Sequence, residues 1–314
     1  MPTYRTLRSG EWPEAMTLWV QAFGEVGWIF DTLDAGTPDR KLEHTLIGED
    51  QGKIVGAVDV FMREVRDENG DPVKIGGIGS VATDAEYRRQ GISGHLLTAA
   101  IDLMGREGCG WSMLFAGYLS HYRRWGWECT PWKQRVCSGL RDTLGTSNYE
   151  IEALGNEGPW PLAEMAGIYD SFNDDRPMSH VRAKQYWQIP IRVRLERPER
   201  RVWLARSNGN VVGYLVATAG DDALELIEIA YLPESESAAP ELIAAAVEQA
   251  SGSVVFRLPH ERIIDHSLRE MFEEIVEEDQ YGPMARSISS DWPFERIVAL
   301  MALPRACSWE LDAF

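Results

Sequence analysis

Cysteine is scarce in this chain: four among 314 residues, at positions 109, 129, 137 and 307. They form no C-x-x-C pair and no cysteine–histidine spacing suited to zinc. The six histidines form no H-E-x-x-H either. A disulfide framework and a metal site are therefore not expected, and reduced thiols fit a cytoplasmic protein. Long apolar runs are also missing, since nothing approaches the roughly 20 residues of a membrane span. The opening MPTYRTLRSGEW has no apolar stretch of the secretory kind. Basic residues are few, 31 Lys+Arg against 49 Asp+Glu, giving a formal charge of −18. That surplus repels phosphates, so neither nucleic acid nor an anionic membrane is expected as a partner, whereas an amine would be drawn in.

What is present is the composition of a globular protein, 44% hydrophobic and 25% charged. At about 150 residues per domain, the length suggests two domains. Residues 1–150 hold 21 acidic and 16 basic side chains, a net of −5, and residues 151–314 hold 28 and 15, a net of −13. The polar stretch Asp142–Gly158, closed by Pro159 and Pro161, reads as a linker and divides the chain into 1–145 and 146–314.

In the first half, Tyr4–Arg8 reads as a strand and Glu11–Phe23 as an amphipathic helix. Leu46–Glu49, Ile54–Val65 and Val73–Thr83 form an antiparallel meander around the turns at 50–53 and 67–71. A helix over Ile92–Arg106 and an apolar strand at Trp111–Phe115 follow. Gly76, Gly77 and Gly79 are unusual in a strand; they fit either close approach to a ligand or tight packing.

The segment Val81–Leu97, VATDAEYRRQGISGHLL, carries the strongest signal. A strand ends near Thr83, and a helix begins at Gly91 with Arg88 and Arg89 just ahead. Uncapped N–H groups, the positive end of the helix dipole and two arginines suit a phosphate or pyrophosphate. The same residues also read as a glycine-broken loop with solvated arginines. The P-loop pattern and the Rossmann G-x-G-x-x-G are both absent.

The run R-x-x-G at Arg88–Gly91, between a strand and an amphipathic helix, resembles the acyl-CoA loop of the GNAT N-acetyltransferases. Tyr122-Arg123-Arg124-Trp125-Gly126-Trp127-Glu128 is similar to the Y-x-x-F-G-[FY]-x segment after the fifth strand of that superfamily. Within it, the chain resembles the enhanced-intracellular-survival type with tandem GNAT domains, without that type's sterol-carrier-like third domain. Ser93 departs from the Gly or Ala that many GNATs place two residues past the motif glycine.

The resemblance implies an α/β (α+β) fold of two tandem GNAT-like domains, each a mixed, mostly antiparallel sheet flanked by helices. It implies an N-acetyltransferase using acetyl-CoA as co-substrate, with no metal, on a primary amine of a small molecule in a ternary complex. A non-catalytic CoA-binding module on the same scaffold is the alternative. Val81, Ala82 and Thr83 would offer backbone groups to the pantetheine arm, and Arg88, Arg89, Gln90, Gly91, Ile92, Ser93 and Gly94 would wrap the pyrophosphate. Tyr122 would be the general acid at the sulfur of CoA, or else a tyrosine packed on Trp125. The C-terminal carboxylate of Phe314 would be the base, with Asp59, Glu64, a chain of waters and a relay through His121 as other options. Trp28, Phe30, Asp31 and Asp34 mix aromatic faces with carboxylates and would bind a cationic amine, or else belong to an exposed loop with a few core aromatics.

In the second half, strands at Val202–Arg206, Val211–Ala219 and Ala223–Tyr231, a helix over Pro240–Ala250 and a strand at Val254–Leu258 repeat the order of the first. The counterpart of the phosphate loop, Tyr231–Pro240, has no arginine or glycine and two glutamates, so CoA binding is not expected there. Glu270–Asp279 reads as an acidic amphipathic helix. Arg192, Arg194, Arg197, Arg200 and Arg201 read as a solvated basic face, with salt bridges between domains or subunits as the second account. Several of the twelve tryptophans are expected as core or interface anchors, which leaves a homo-oligomer open.

Overall fold

The computed structural model describes residues 2–24, 41–141, 148–250 and 252–313. Two seven-stranded mixed sheets carry the chain, each with helices against it. The first half contributes β1 (Thr3–Thr6), α1 (Trp12–Phe23), β2 (Thr45–Asp50), β3 (Lys53–Arg66), β4 (Pro72–Thr83), α2 (Ile92–Arg106), β5 (Trp111–Phe115), α3 (Leu119–Arg123), β6 (Glu128–Cys129) and β7 (Lys133–Leu140). The second contributes β8 (Glu150–Leu154), α4 (Leu162–Asn173), β9 (Arg200–Ser207), β10 (Asn210–Ala219), β11 (Ala223–Tyr231), α5 (Ala238–Val247), β12 (Ser253–Phe256), α6 (Arg262–Met271), β13 (Phe272–Asp279), β14 (Pro283–Ser287) and α7 (Phe294–Met301).

The expected repeat is present. The first sheet runs β1-β2-β3-β4-β5-β14-β6 and the second, reversed, β8-β9-β10-β11-β12-β7-β13. Each contains one parallel pair, β4 with β5 and β11 with β12. The sixth position of each sheet is filled from the other half. β14 lies between β5 and β6, and β7 lies between β12 and β13. A cut at 145/146 therefore leaves each sheet with a strand from across the cut.

Three local expectations differ from what is observed. Phe272–Asp279 is a strand, not a helix, and helix α6 stops at Met271. Its acidic residues face cations across the ladder, Glu277 opposite Arg135 and Asp279 opposite Lys133, and this pairing with distant β7 overrides the helical spacing. The described part of the expected linker contains β8, whose Glu152 pairs with Arg206 of the next strand at 2.8 Å. The arginine cluster is not simply a solvated face, because Arg200 is buried and bonds Glu310 at 3.0 Å, and Arg194 donates to the carbonyl of Ala313.

The C-terminal segment is held at the junction of the halves. Arg182, fully buried, donates to both oxygens of Glu228 (2.9 and 2.6 Å) and both of Asp312 (2.9 and 2.8 Å). Tyr214 adds its hydroxyl to Glu228 at 2.7 Å, and Arg63 of β3 donates to the Asp312 carbonyl. Burial opposes ionisation of Asp312, yet Arg182 reverses that and holds its carboxyl below the usual range. Replacing Arg182 with Met would strand two buried carboxylates. Arg182→Met is expected to cost about 3–5 kcal/mol in urea unfolding, and a loss below about 1 kcal/mol would contradict this account.

Candidate functional site

The site begins where β4 and β5 part. Their parallel register runs from Ile75↔Trp111 to Ile78↔Leu114. Beyond it β4 continues to Thr83 while β5 ends at Phe115. The backbone of β4 past Ile78 consequently has no β5 partner on that side. A bulge in the β3–β4 ladder between Ala57 and Asp59 sits at the same level. Ser80 there takes φ +55°, and its carbonyl accepts a 2.8 Å bond from Trp19 Nε1 of α1. Gly76 is explained by packing: a Cβ would lie 2.2 Å from Met104 Sδ of α2.

Past Thr83 the chain turns through Ala85–Tyr87, fixed by Asp84, which accepts from the Glu86 amide at 2.9 Å and pairs with Lys53 at 2.7 Å. Arg89 and Gly91 both take positive φ, 64° and 82°, and bring the chain round to α2. No side chain caps that helix, and no acidic residue occupies its first turn. The amides of Ile92, Ser93 and Gly94 thus lack a carbonyl one turn earlier and form a donor-rich, electropositive end.

Val81, Ala82, Thr83, Arg88, Ser93 and Tyr122 line one cleft of about 510 Å³. Arg89, Gln90, Gly91, Ile92 and Gly94 border the same turn but do not line it. The Ile92 side chain is buried in the core, and Gly94 is covered by Trp125, whose Cζ2 would be 2.4 Å from an added Cβ. On that face glycine serves helix–tryptophan packing, not access for a ligand. Tyr118, Ser120, His121, Arg124, Ala22 and Phe23 complete the lining. Arg124 lies in the motif segment two residues after Tyr122, the one sequence signal that could have marked it, whereas Tyr118, 83% exposed, precedes that segment. Trp28, Phe30, Asp31, Asp34 and Phe314 lie outside the described residues.

Tyr122 sits on the short helix α3, half-buried, and burial pushes its phenol up from the ordinary value. Its hydroxyl has no hydrogen-bond partner among the described residues. It meets Trp127 edge-on at 6.4 Å, and Trp127 is fixed by an indole bond to Ser112 Oγ at 3.2 Å. Gly126 takes φ 82° in contact with Arg286, so only glycine fits that turn. His121, on the same helix, is pushed down by burial and then by Arg124. Asp59 is buried and accepts from Thr45 Oγ1 at 2.7 Å; Glu64 is exposed near the domain junction, and neither lines the cleft. Among the described residues no cluster of side chains could hold a metal.

In the second sheet β11 and β12 part in the same way, after Leu226↔Phe256. There the following helix, α5, begins with Ala238 and Ala239 buried, and Pro240 stands in its first turn.

Each sheet thus has one parallel pair that opens ahead of the helix joining its two strands. Residues 3–130 match the family model described as the acetyltransferase (GNAT) domain. The chain superposes on a probable N-acyltransferase from Enterococcus faecalis V583 with a TM-score of 0.69 at 16% identity, covering 92% of this chain and 73% of that one. It superposes on a GCN5-related N-acetyltransferase from Anabaena variabilis at 0.68 and 16%, covering 92% and 73%. With Eis1 from Mycobacterium abscessus the values are 0.61 and 16%, covering 91% and 74%. No curated protein matches the sequence. The family-model match lies within the first half of the chain, and the chain as a whole shares the fold of these solved structures.

Gly94→Ala is expected to displace the Trp125 ring and cost about 1–3 kcal/mol by overpacking. Tryptophan fluorescence and thermal unfolding would read it, and an unchanged Tm would contradict the contact.

Proposed function

We propose that this protein transfers the acetyl group of acetyl-CoA to a primary amine of a small molecule, by direct attack in a ternary complex at the cleft of residues 1–145. One observation carries the reading: the end of β4 beyond its β5 partner, Arg88 with Ser93 of an uncapped helix end, and the unpartnered Tyr122 hydroxyl line a single cleft. Each suits a different part of the donor. The edge of β4 at Val81–Thr83 has no β5 partner and could offer backbone groups to the amides of a pantetheine arm. The uncapped start of α2 at Ser93, with Arg88, suits a pyrophosphate. Tyr122 is the acid for the departing thiolate.

A phenol held above pKa 10 stays protonated at neutral pH and is ready to donate. Donation from such a phenol to a thiolate whose conjugate acid lies near 8.5 is uphill by more than about 1.5 units, at least roughly 2 kcal/mol. That cost is small beside the gain from neutralising the leaving group in the transition state. The amine acceptor fits the chain's net charge of −18 only loosely, because none of the described residues lining the cleft is acidic.

Titrating purified protein with CoA and following thiol release from acetyl-CoA over an amine panel tests the reading. Arg88→Ala is expected to weaken CoA binding about tenfold, more at low salt, without lowering Tm. Tyr122→Phe is expected to keep CoA binding and lower kcat about 100-fold. Tight CoA binding with no thiol release for any amine would instead mark a binding module.

A further inference from the structure

The cleft contains an acid with no evident way to recover its proton. Tyr122 yields one proton per turnover, and the attacking amine must lose one. Among the described lining residues Arg88 and Arg124 stay protonated, Tyr118 and Tyr122 are phenols, and none is Asp or Glu. His121 alone among them can take up a proton near neutral pH. It stands next to Tyr122 on α3, ring centroids 5.0 Å apart and edge-on. Trp125 supports the imidazole from another side at 5.1 Å. Neither ring nitrogen has a hydrogen-bond partner among the described residues, and the side chain lines the cleft.

We propose that His121 takes the proton released by the attacking amine and returns it to Tyr122, so that the pair forms a closed proton relay. The proposal rests on the acetyl-transfer reading and deepens it. The amine nitrogen bonds to the acetyl carbon, the nitrogen's surplus proton passes to the imidazole, and the carbon–sulfur bond breaks. The thiolate takes the Tyr122 proton and leaves as a thiol. The imidazolium then restores the phenol, and both side chains end as they began. The net change is amine plus thioester to amide plus thiol, with no proton drawn from solvent.

Environment supports the assignment. Burial and the Arg124 cation both favour the neutral imidazole, the form that accepts a proton. Arg88 faces the same cleft from the loop before α2, and α1 contributes only Ala22 and Phe23. No described carboxylate opposes the effect there. The acid limb of kcat is therefore set by a histidine lowered from its ordinary value: activity is held above that pKa and lost as pH falls through it.

The test uses the full chain with saturating acetyl-CoA and spermidine, kanamycin or tryptamine as acceptor, reading thiol release from pH 5 to 9. His121→Gln is expected to lower kcat about 100-fold, abolish the acid limb and leave CoA affinity within about twofold of wild type. His121→Gly is expected to regain activity with added imidazole. Tyr122→Phe is expected to lower kcat while keeping the acid limb. A His121→Gln enzyme with kcat within about twofold of wild type, or one that retains the acid limb, overturns the relay and leaves acetyl transfer standing. Wild-type protein that binds CoA yet releases no thiol with any acceptor overturns both together.

Discussion

Everything at the cleft depends on β4 parting from β5 after Ile78 and Leu114. While strands are paired, their amides and carbonyls satisfy one another and no ligand can compete for them. Once they part, that edge of β4 has no strand partner, and its groups are open to other donors and acceptors, as the Ser80 carbonyl is to Trp19. The opening is not accidental slack. It coincides with the bulge at Ser80, which Trp19 of α1 holds through the Ser80 carbonyl, and α2 presses close below through Met104 on Gly76. A strained residue is kept in place by neighbours that outnumber it, which is how a binding edge is maintained without ligand.

The same interaction explains which parts of the molecule were legible in the sequence. Local pattern sufficed for α2, whose expected bounds Ile92–Arg106 are those observed, and for the β2–β3 and β9–β10 hairpins, whose turns carry their own signals. The loop before α2 and Tyr122 were legible because their residue types and separation form a motif. Phe272–Asp279 was not, because its register with β7 is set by residues about 140 positions away, Lys133 and Arg135, and a single segment cannot report its partner. The same holds for β8, read as linker, and for Arg200, whose burial depends on Glu310. Tyr118 and Arg124 escaped because their relation to the cleft comes from the turn of α3, not from spacing along the chain.

The exchange of strands makes the two halves interdependent. β14 supplies the neighbour of β5, so the strand end that bounds the cleft is buttressed by chain from the far side of the molecule. Arg286 of β14 reaches Gly126 and Trp127, the turn that seats Tyr122. The second half therefore has a part in the site even though its own splayed strands lead to a helix with buried alanines and a proline. The buried Arg182 cluster adds to this coupling, since Glu228 comes from β11, Asp312 from the C-terminal segment and Arg63 from β3. A hydrophobic replacement of such a cluster can be as stable, so its retention argues for registry: it admits one arrangement of three distant segments.

Whole-chain charge and local charge lead to opposite expectations here. A protein of net −18 ought to repel a polyanionic donor, and at a distance it does. Screening confines that repulsion to about 8–10 Å at ordinary salt, so it is the lining that decides. In the cleft the described lining is cationic or neutral, with Arg88 and Arg124 and an uncapped helix end. In the second half the matching loop holds exposed Glu234 and Glu236 and gives up amides to Pro233 and Pro240. Two copies of one backbone thus differ in a handful of side chains. The difference is whether the field at the parted strands attracts a phosphate or opposes it, and fold alone does not determine that.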